Sequence, residues 1–134
     1  MSTRTSHSSE AALFYITFTC YRSLPLFELC QAYDLVYIWF DVLKAKYNIK
    51  TTAYTIMPNH VFLSCWGLLL LALSRAGTRH AAFLMQKIQY IHLNCVRGKW
   101  KLVEHWEDYE HSSAKFYVKN TLQRFVPVHY EELS

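Results

Sequence analysis

The sequence predicts a single α+β domain built on an antiparallel sheet, and three observations carry that prediction. Leu13 to Cys20 alternates in hydrophobicity, Glu28 to Tyr47 carries apolar residues at helical spacing, and two β-rich runs meet at a Pro58-Asn59 turn. At 134 residues the chain suits one hydrophobic core. Hydrophobic residues make up 52% and charged residues only 18%, which excludes a disordered chain. Aromatics at 16% imply apolar surface left over for a partner or a missing segment.

Met1 to Glu10 is polar and Ser/Thr-rich, so residues 1–10 are expected to form a disordered tail ahead of one domain over 11–134. In the first strand, Phe14, Ile16 and Phe18 point one way and Tyr15, Thr17 and Thr19 the other. Ser23 to Pro25 breaks it. The following helix is expected to run unbroken from Glu28 to Tyr47, with Leu29, Ala32, Leu35, Val36, Trp39, Val42 and Leu43 as its inward stripe. Tyr33, Tyr37 and Phe40 form a second, aromatic ridge beside it. Thr51 to Met57 reads as a second strand, Pro58-Asn59 as a tight turn, and His60 to Trp66 as a third strand, antiparallel to the second. Residues Gly67 to His80 fit neither period. Ala81 to Val96 is helical again, with Leu84, Ile88, Ile91 and Cys95 inward and Gly98 as its stop. Ser112-Ser113 is placed to cap a short helix at Ala114 to Val118.

Composition limits the function classes. Cys20, Cys30, Cys65 and Cys95 are scattered, with no C-x-x-C pair, which points to reduced thiols rather than a zinc knuckle or a disulfide framework. No apolar run approaches the roughly 18–20 residues of a membrane span, and no signal-like segment precedes the first strand. A cytoplasmic protein without membrane contact is expected. The net charge of +4 permits nucleic acid as a partner without requiring it.

Two constellations carry chemistry. Alternation puts His60, Phe62 and Ser64 on one strand face, with Val61 and Leu63 on the other. An imidazole there has a nitrogen to offer a metal, although a lone His is more commonly a packed side chain. On the last long helix, Tyr90 and Asn94 stack four apart, away from the apolar stripe. That pairing would set a nucleophile beside an amide oxygen, or equally a half-buried aromatic beside a polar neighbour. His92 flanks the stripe and reads as a packing residue. Arg97, Lys99 and Lys101 form a small basic cluster suited to phosphates.

These pieces together resemble the single-tyrosine HUH transposases, especially the REP-associated tyrosine transposases. Tyr54 to Leu63 (Tyr-Thr-Ile-Met-Pro-Asn-His-Val-Phe-Leu) is similar to the family's His-hydrophobic-His strand, and Tyr90 to Lys99 to its nucleophile helix. Glu107-Asp108-Tyr109 with His111-Ser112-Ser113-Ala114 resembles its C-terminal signature. Tyr15-Ile16-Thr17-Phe18 and Leu24-Pro25-Leu26-Phe27 resemble its opening. The resemblance implies a ferredoxin-like antiparallel sheet with helices on one face, a homodimer, and single-stranded DNA with hairpin ends as the partner. It implies Tyr90 as the nucleophile attacking a backbone phosphate, with Mg²⁺ or Mn²⁺ on His60 and Asn94. A phenol, with an ordinary pKa near 10, needs such help with the phosphate. Arg97, Lys99 and Lys101 would bind DNA.

The sequence departs from that pattern in three places. Phe62 replaces the second metal His, and Ser64 is a strand step too far to substitute. The interval Ser64 to Ala82 is short and foreign, so the fold is expected to lack a helix and a strand there. Asn94-Cys95-Val96 replaces Asn-Pro-Val. Two readings follow: a metal-dependent transposase that cuts and rejoins DNA, and a catalytically inactive DNA-binding remnant of one.

Overall fold

Strands β1 (Ala12–Thr19), β2 (Lys50–Ile56) and β3 (His60–Gly67) form an antiparallel sheet in the order β1-β3-β2. This computed structural model describes residues 11–67, 81–97, 101–121 and 123–133. Residues 1–10, most of the unassigned interval, Gly98 and Lys99 lie outside them. The turn at Pro58-Asn59 holds β2 against β3, closed by Met57 N–H donating to the His60 carbonyl at 2.7 Å. Because Pro58 has no N–H and a fixed φ, the turn ends β2 and sets where β3 begins. β3 is the central strand and pairs along its length with β1, Thr19 opposite His60 and Ala12 opposite Gly67.

Side-chain parity divides the core in two. Phe14, Ile16, Tyr54, Ile56, Val61, Leu63 and Cys65 face helix α2 (Tyr33–Tyr47). Leu13, Tyr15, Ala53, Phe62 and Trp66 face Ile88 and Ile91 of helix α3 (Ala81–Leu93). The α+β class and the antiparallel sheet therefore stand, but the helices do not share one face. The reason is visible in β2, where every residue from Thr51 to Ile56 is buried. A strand apolar or hydrogen-bonded on both faces needs a layer on each side.

The expected helix from Glu28 to Tyr47 is also corrected. A one-turn helix α1 (Leu26–Leu29) precedes a break in which Gln31 sits at φ 50°, and α2 then starts at Tyr33. With the break, the buried face becomes the aromatic ridge: Val36, Tyr37 and Phe40, flanked by Tyr33 and Leu43. Leu29 and Leu35, assigned inward from spacing, are 70% and 65% exposed. Aromatic rings bury more area per residue than aliphatic chains, so the ridge wins the sheet-facing position. Asn48 ends α2 in the left-handed conformation, φ 51°, and its N–H bonds the Leu43 carbonyl. An asparagine tolerates that backbone better than most residues.

The outer edge of β2 is covered by the C-terminal segment, which surrounds helix α4 (Ala114–Lys119). Ile56 N–H donates to the His111 carbonyl at 2.7 Å, Ser113 N–H to Tyr54 at 3.0 Å, and Val128 N–H to Thr51 at 3.0 Å. Tyrosine hydroxyls tighten the strap: Tyr109 to the Ile56 carbonyl at 2.5 Å and Tyr117 to the Thr52 carbonyl at 2.6 Å. Thus β2's spare backbone groups find partners inside the molecule.

Candidate nucleic-acid interface

His60 opens β3 and is half-buried; burial pushes its imidazole pKa below the ordinary value. Its Nδ1 lies 2.5 Å from Asn59 Oδ1. A carboxamide oxygen only accepts, so Nδ1 carries the proton, and the neutral ring keeps its lone pair on Nε2. Two residues along the same face stands Phe62, edge-to-face with His60 at 4.8 Å between centroids. Phe62 meets the ring of Tyr90 at 6.1 Å, with planes at 89°. Tyr90 projects from α3, which is anchored to the sheet by buried Ile88 and Ile91, and it remains 47% exposed. Beyond it, the Arg97 guanidinium lies over the Tyr90 ring, 5.6 Å from its centroid.

The result is a row: His60, Phe62, Tyr90, Arg97. The side chains at the two ends of the proposed chemistry, His60 and Tyr90, lie on one side of the sheet with Phe62 between them. Burial of Ile88, Ile91 and Cys95 matches the stripe read from spacing, while the Leu84 side chain is outside those described. The helix ends earlier than Gly98. It gives way at Asn94 to a 3-10 turn over Asn94–Val96, because the Asn94 carboxamide itself caps it, donating to the Tyr90 carbonyl at 2.8 Å and more weakly to Ile91 at 3.4 Å.

The donor set fits a divalent cation poorly. His60 Nε2 and Asn94 Oδ1 are both neutral, the Asn94 carboxamide is oriented by its Nδ2 donating to the helix end, and Phe62 offers no donor. Among the described residues no three His, Cys, Asp or Glu side chains are grouped to hold an ion. A hard cation such as Mg²⁺ is held by oxygen ligands, carboxylates foremost, and among the described residues His60, Phe62, Tyr90 and Asn94 bring no carboxylate to this face. Ser64, the other polar residue on the strand face, is fully buried and paired to Thr52 Oγ1.

Of the basic cluster, Arg97 and Lys101 are exposed, and Lys99 lies outside the described residues. On the same sheet face, Lys87 holds its ammonium 5.9 Å from the centroid of the Tyr15 ring. Cations interleaved with rings on a partly open surface suit phosphates and bases together.

The C-terminal motif has a structural part that spacing did not reveal. Ser113 Oγ accepts from Tyr54 N–H at 2.9 Å and lies 2.7 Å from His92 Nε2. Of the Ser112-Ser113 pair expected to cap α4, Ser112 does so, its Oγ taking the Ala114 N–H at 3.1 Å, while the Ser113 hydroxyl serves β2 and His92. His111 stacks on Tyr33 at 4.0 Å and shares a hydrogen bond with Tyr37 at 3.0 Å. Apart from Ser112 and Ala114, these partners lie 21 or more residues apart in sequence, and no local signal connects them.

A scan of known protein families matches none to this chain, and a comparison with curated proteins likewise finds no match. Among solved structures, that of a REP-associated tyrosine transposase bound to a REP hairpin is similar, with a TM-score of 0.59 over 84% of this chain and 82% of that one. Sequence identity over the alignment is 13%. The two proteins share a fold.

Proposed function

We propose that this chain binds DNA with hairpin ends and unpaired strands across the His60–Phe62–Tyr90 face, and that it does so without cutting it. The observation that carries this reading is Phe62. An apolar ring stands between the imidazole and the phenol, where strand cleavage would require a group that neutralises the phosphate. What the face retains, rings with Arg97 beside them, suffices for binding. The fold shared with a hairpin-bound transposase supports the choice of DNA.

One observation favours the second reading, in which Tyr90 is a working nucleophile: its ring is open to solvent and a guanidinium lies next to it. A single experiment separates the two. Purified protein is mixed with hairpin-ended single strands in Mg²⁺ or Mn²⁺, then run on native and denaturing gels. The expected result is a salt-sensitive native shift with no covalent adduct. An adduct that disappears in Tyr90→Phe would establish cleavage; absence of any shift would remove the DNA-binding reading.

A further inference from the structure

Resting on that DNA-binding reading, we propose that the contact between the Tyr90 ring and the Arg97 guanidinium opens into a docking slot for one unpaired nucleobase, working without metal. The geometry points to this because Tyr90 is held upright from one side and covered only loosely from the other. Phe62 meets it at 89°, and His60 in turn meets Phe62 at 88°, so two rings fix the orientation of the third. The half-buried Phe62 and His60 cannot swing away freely. Arg97, by contrast, is exposed, with its guanidinium carbon 5.6 Å from the ring centroid.

That distance is longer than a tight stack and shorter than a filled one. Planar groups in van der Waals contact sit roughly 3.5 Å apart, so a base between the two would place the guanidinium roughly 7 Å from the Tyr90 centroid. An outward movement of about 1.5 Å by a flexible, exposed side chain opens the slot. Inserted there, the base stacks on the phenol ring below and the guanidinium plane above, and the same guanidinium edge remains available to the flanking phosphate. Only an unpaired base can enter, because a paired one is already stacked on its neighbours in the duplex. The slot therefore distinguishes a strand end or loop from a blunt hairpin. In this arrangement Phe62 is a support for the platform rather than a lost ligand.

The test compares affinity for a blunt DNA hairpin and for the same hairpin with a short unpaired thymidine tail, in excess EDTA, by fluorescence anisotropy. Wild type is expected to prefer the tailed form, and Tyr90→Phe, which keeps the ring, to stay within about twofold of it. Tyr90→Ala should lose about 5- to 150-fold on the tailed form, the range for one stacked base, and distinctly less on the blunt one, which has no unpaired base for the slot. Arg97→Lys, which keeps the charge and loses the plane, should fall between. Abasic sites in the tail should erase the difference between wild type and Tyr90→Ala. Equal binding of the tailed form by wild type and Tyr90→Ala would overturn the slot while leaving hairpin binding intact, as would a Tyr90→Phe as damaged as Tyr90→Ala, or a tail preference abolished by EDTA. Failure of both oligonucleotides to bind wild type would overturn the DNA-binding reading itself.

Discussion

Phe62 is the residue on which the chemistry of this face turns. Its neighbours on the strand are fixed by parity: Val61 and Leu63 pack under α2, which leaves Phe62 no choice but the α3 side with His60 and Tyr90. Introducing an imidazole there places two rings two residues apart on one strand face, a natural pair for a divalent ion. Phe62→His is therefore expected to raise Mn²⁺ affinity by about tenfold or more, equivalent to roughly 1.4 kcal/mol for the added donor. It should also lower stability by about 1 kcal/mol, since a half-buried ring becomes a polar one. Isothermal calorimetry with Mn²⁺ reads the first effect and urea denaturation the second. No gain in metal affinity would mean that residue 62 does not face His60 as the ring geometry indicates.

At the scale of elements, local pattern was legible where the physics was local. Alternation in Phe14 to Thr19 and in His60 to Cys65 located β1 and β3 and their faces, because a strand half-covered on each side must alternate. The Pro58-Asn59 turn fixed the register between β2 and β3. Helix α2 was legible in extent but not in orientation. It is apolar around most of its circumference, so periodicity offered two candidate stripes, and only the sheet decides between them. Packing chose the rings: Phe40 is fully buried and meets Tyr37, Tyr54 and Phe125, the last two at 5.2 and 5.3 Å. Phe40→Ala is expected to cost about 3–5 kcal/mol, the usual range for an aromatic deleted from a packed core. Leu35→Gln, at a position the sequence also marked as core, should change stability by no more than about 0.5 kcal/mol because its side chain faces outward. Chemical denaturation of both variants checks the orientation directly; a large loss for Leu35→Gln with a small one for Phe40→Ala would reverse it.

Across the whole molecule, the contacts that hold the layers together were the least legible, because they join residues remote in sequence. His92 reaches Ser113, Ser113 reaches Tyr54, and the strap at His111 to Ser113 closes the β2 edge. Nothing in the spacing of those residues announces the meeting. The meeting of β3 with Tyr90 was legible only through resemblance, since neither strand nor helix pattern says which sheet face α3 covers. This buried polar knot sets the pH response of the fold. His92 is almost fully buried, stacked on Trp106 at 5.8 Å with Tyr117 at 5.6 Å, and burial pushes its pKa down to about 4. The surrounding groups, the Ser113 hydroxyl and the two rings, supply no negative charge to offset protonation. An unfolded histidine titrates near 6.5, so the contribution is whole above that pH. As pH falls from about 6.5 towards 4 the unfolded chain takes up a proton that the folded chain refuses, and stability drops. At pH 4.5 the loss relative to pH 7 should reach about 2.5 kcal/mol from His92 alone, levelling off below pH 4. Burial also lowers the pKa of His60 and His111, which adds loss in the same direction. Urea midpoints measured from pH 7 to pH 4.5 should fall for wild type, and the fall should be shallower in His92→Gln, whose overall stability is lower but whose side chain does not titrate. A wild-type midpoint that holds steady across that interval, or an equal slope in the variant, would show that the knot is open to protons and that the C-terminal strap is not sealed against β2 as described.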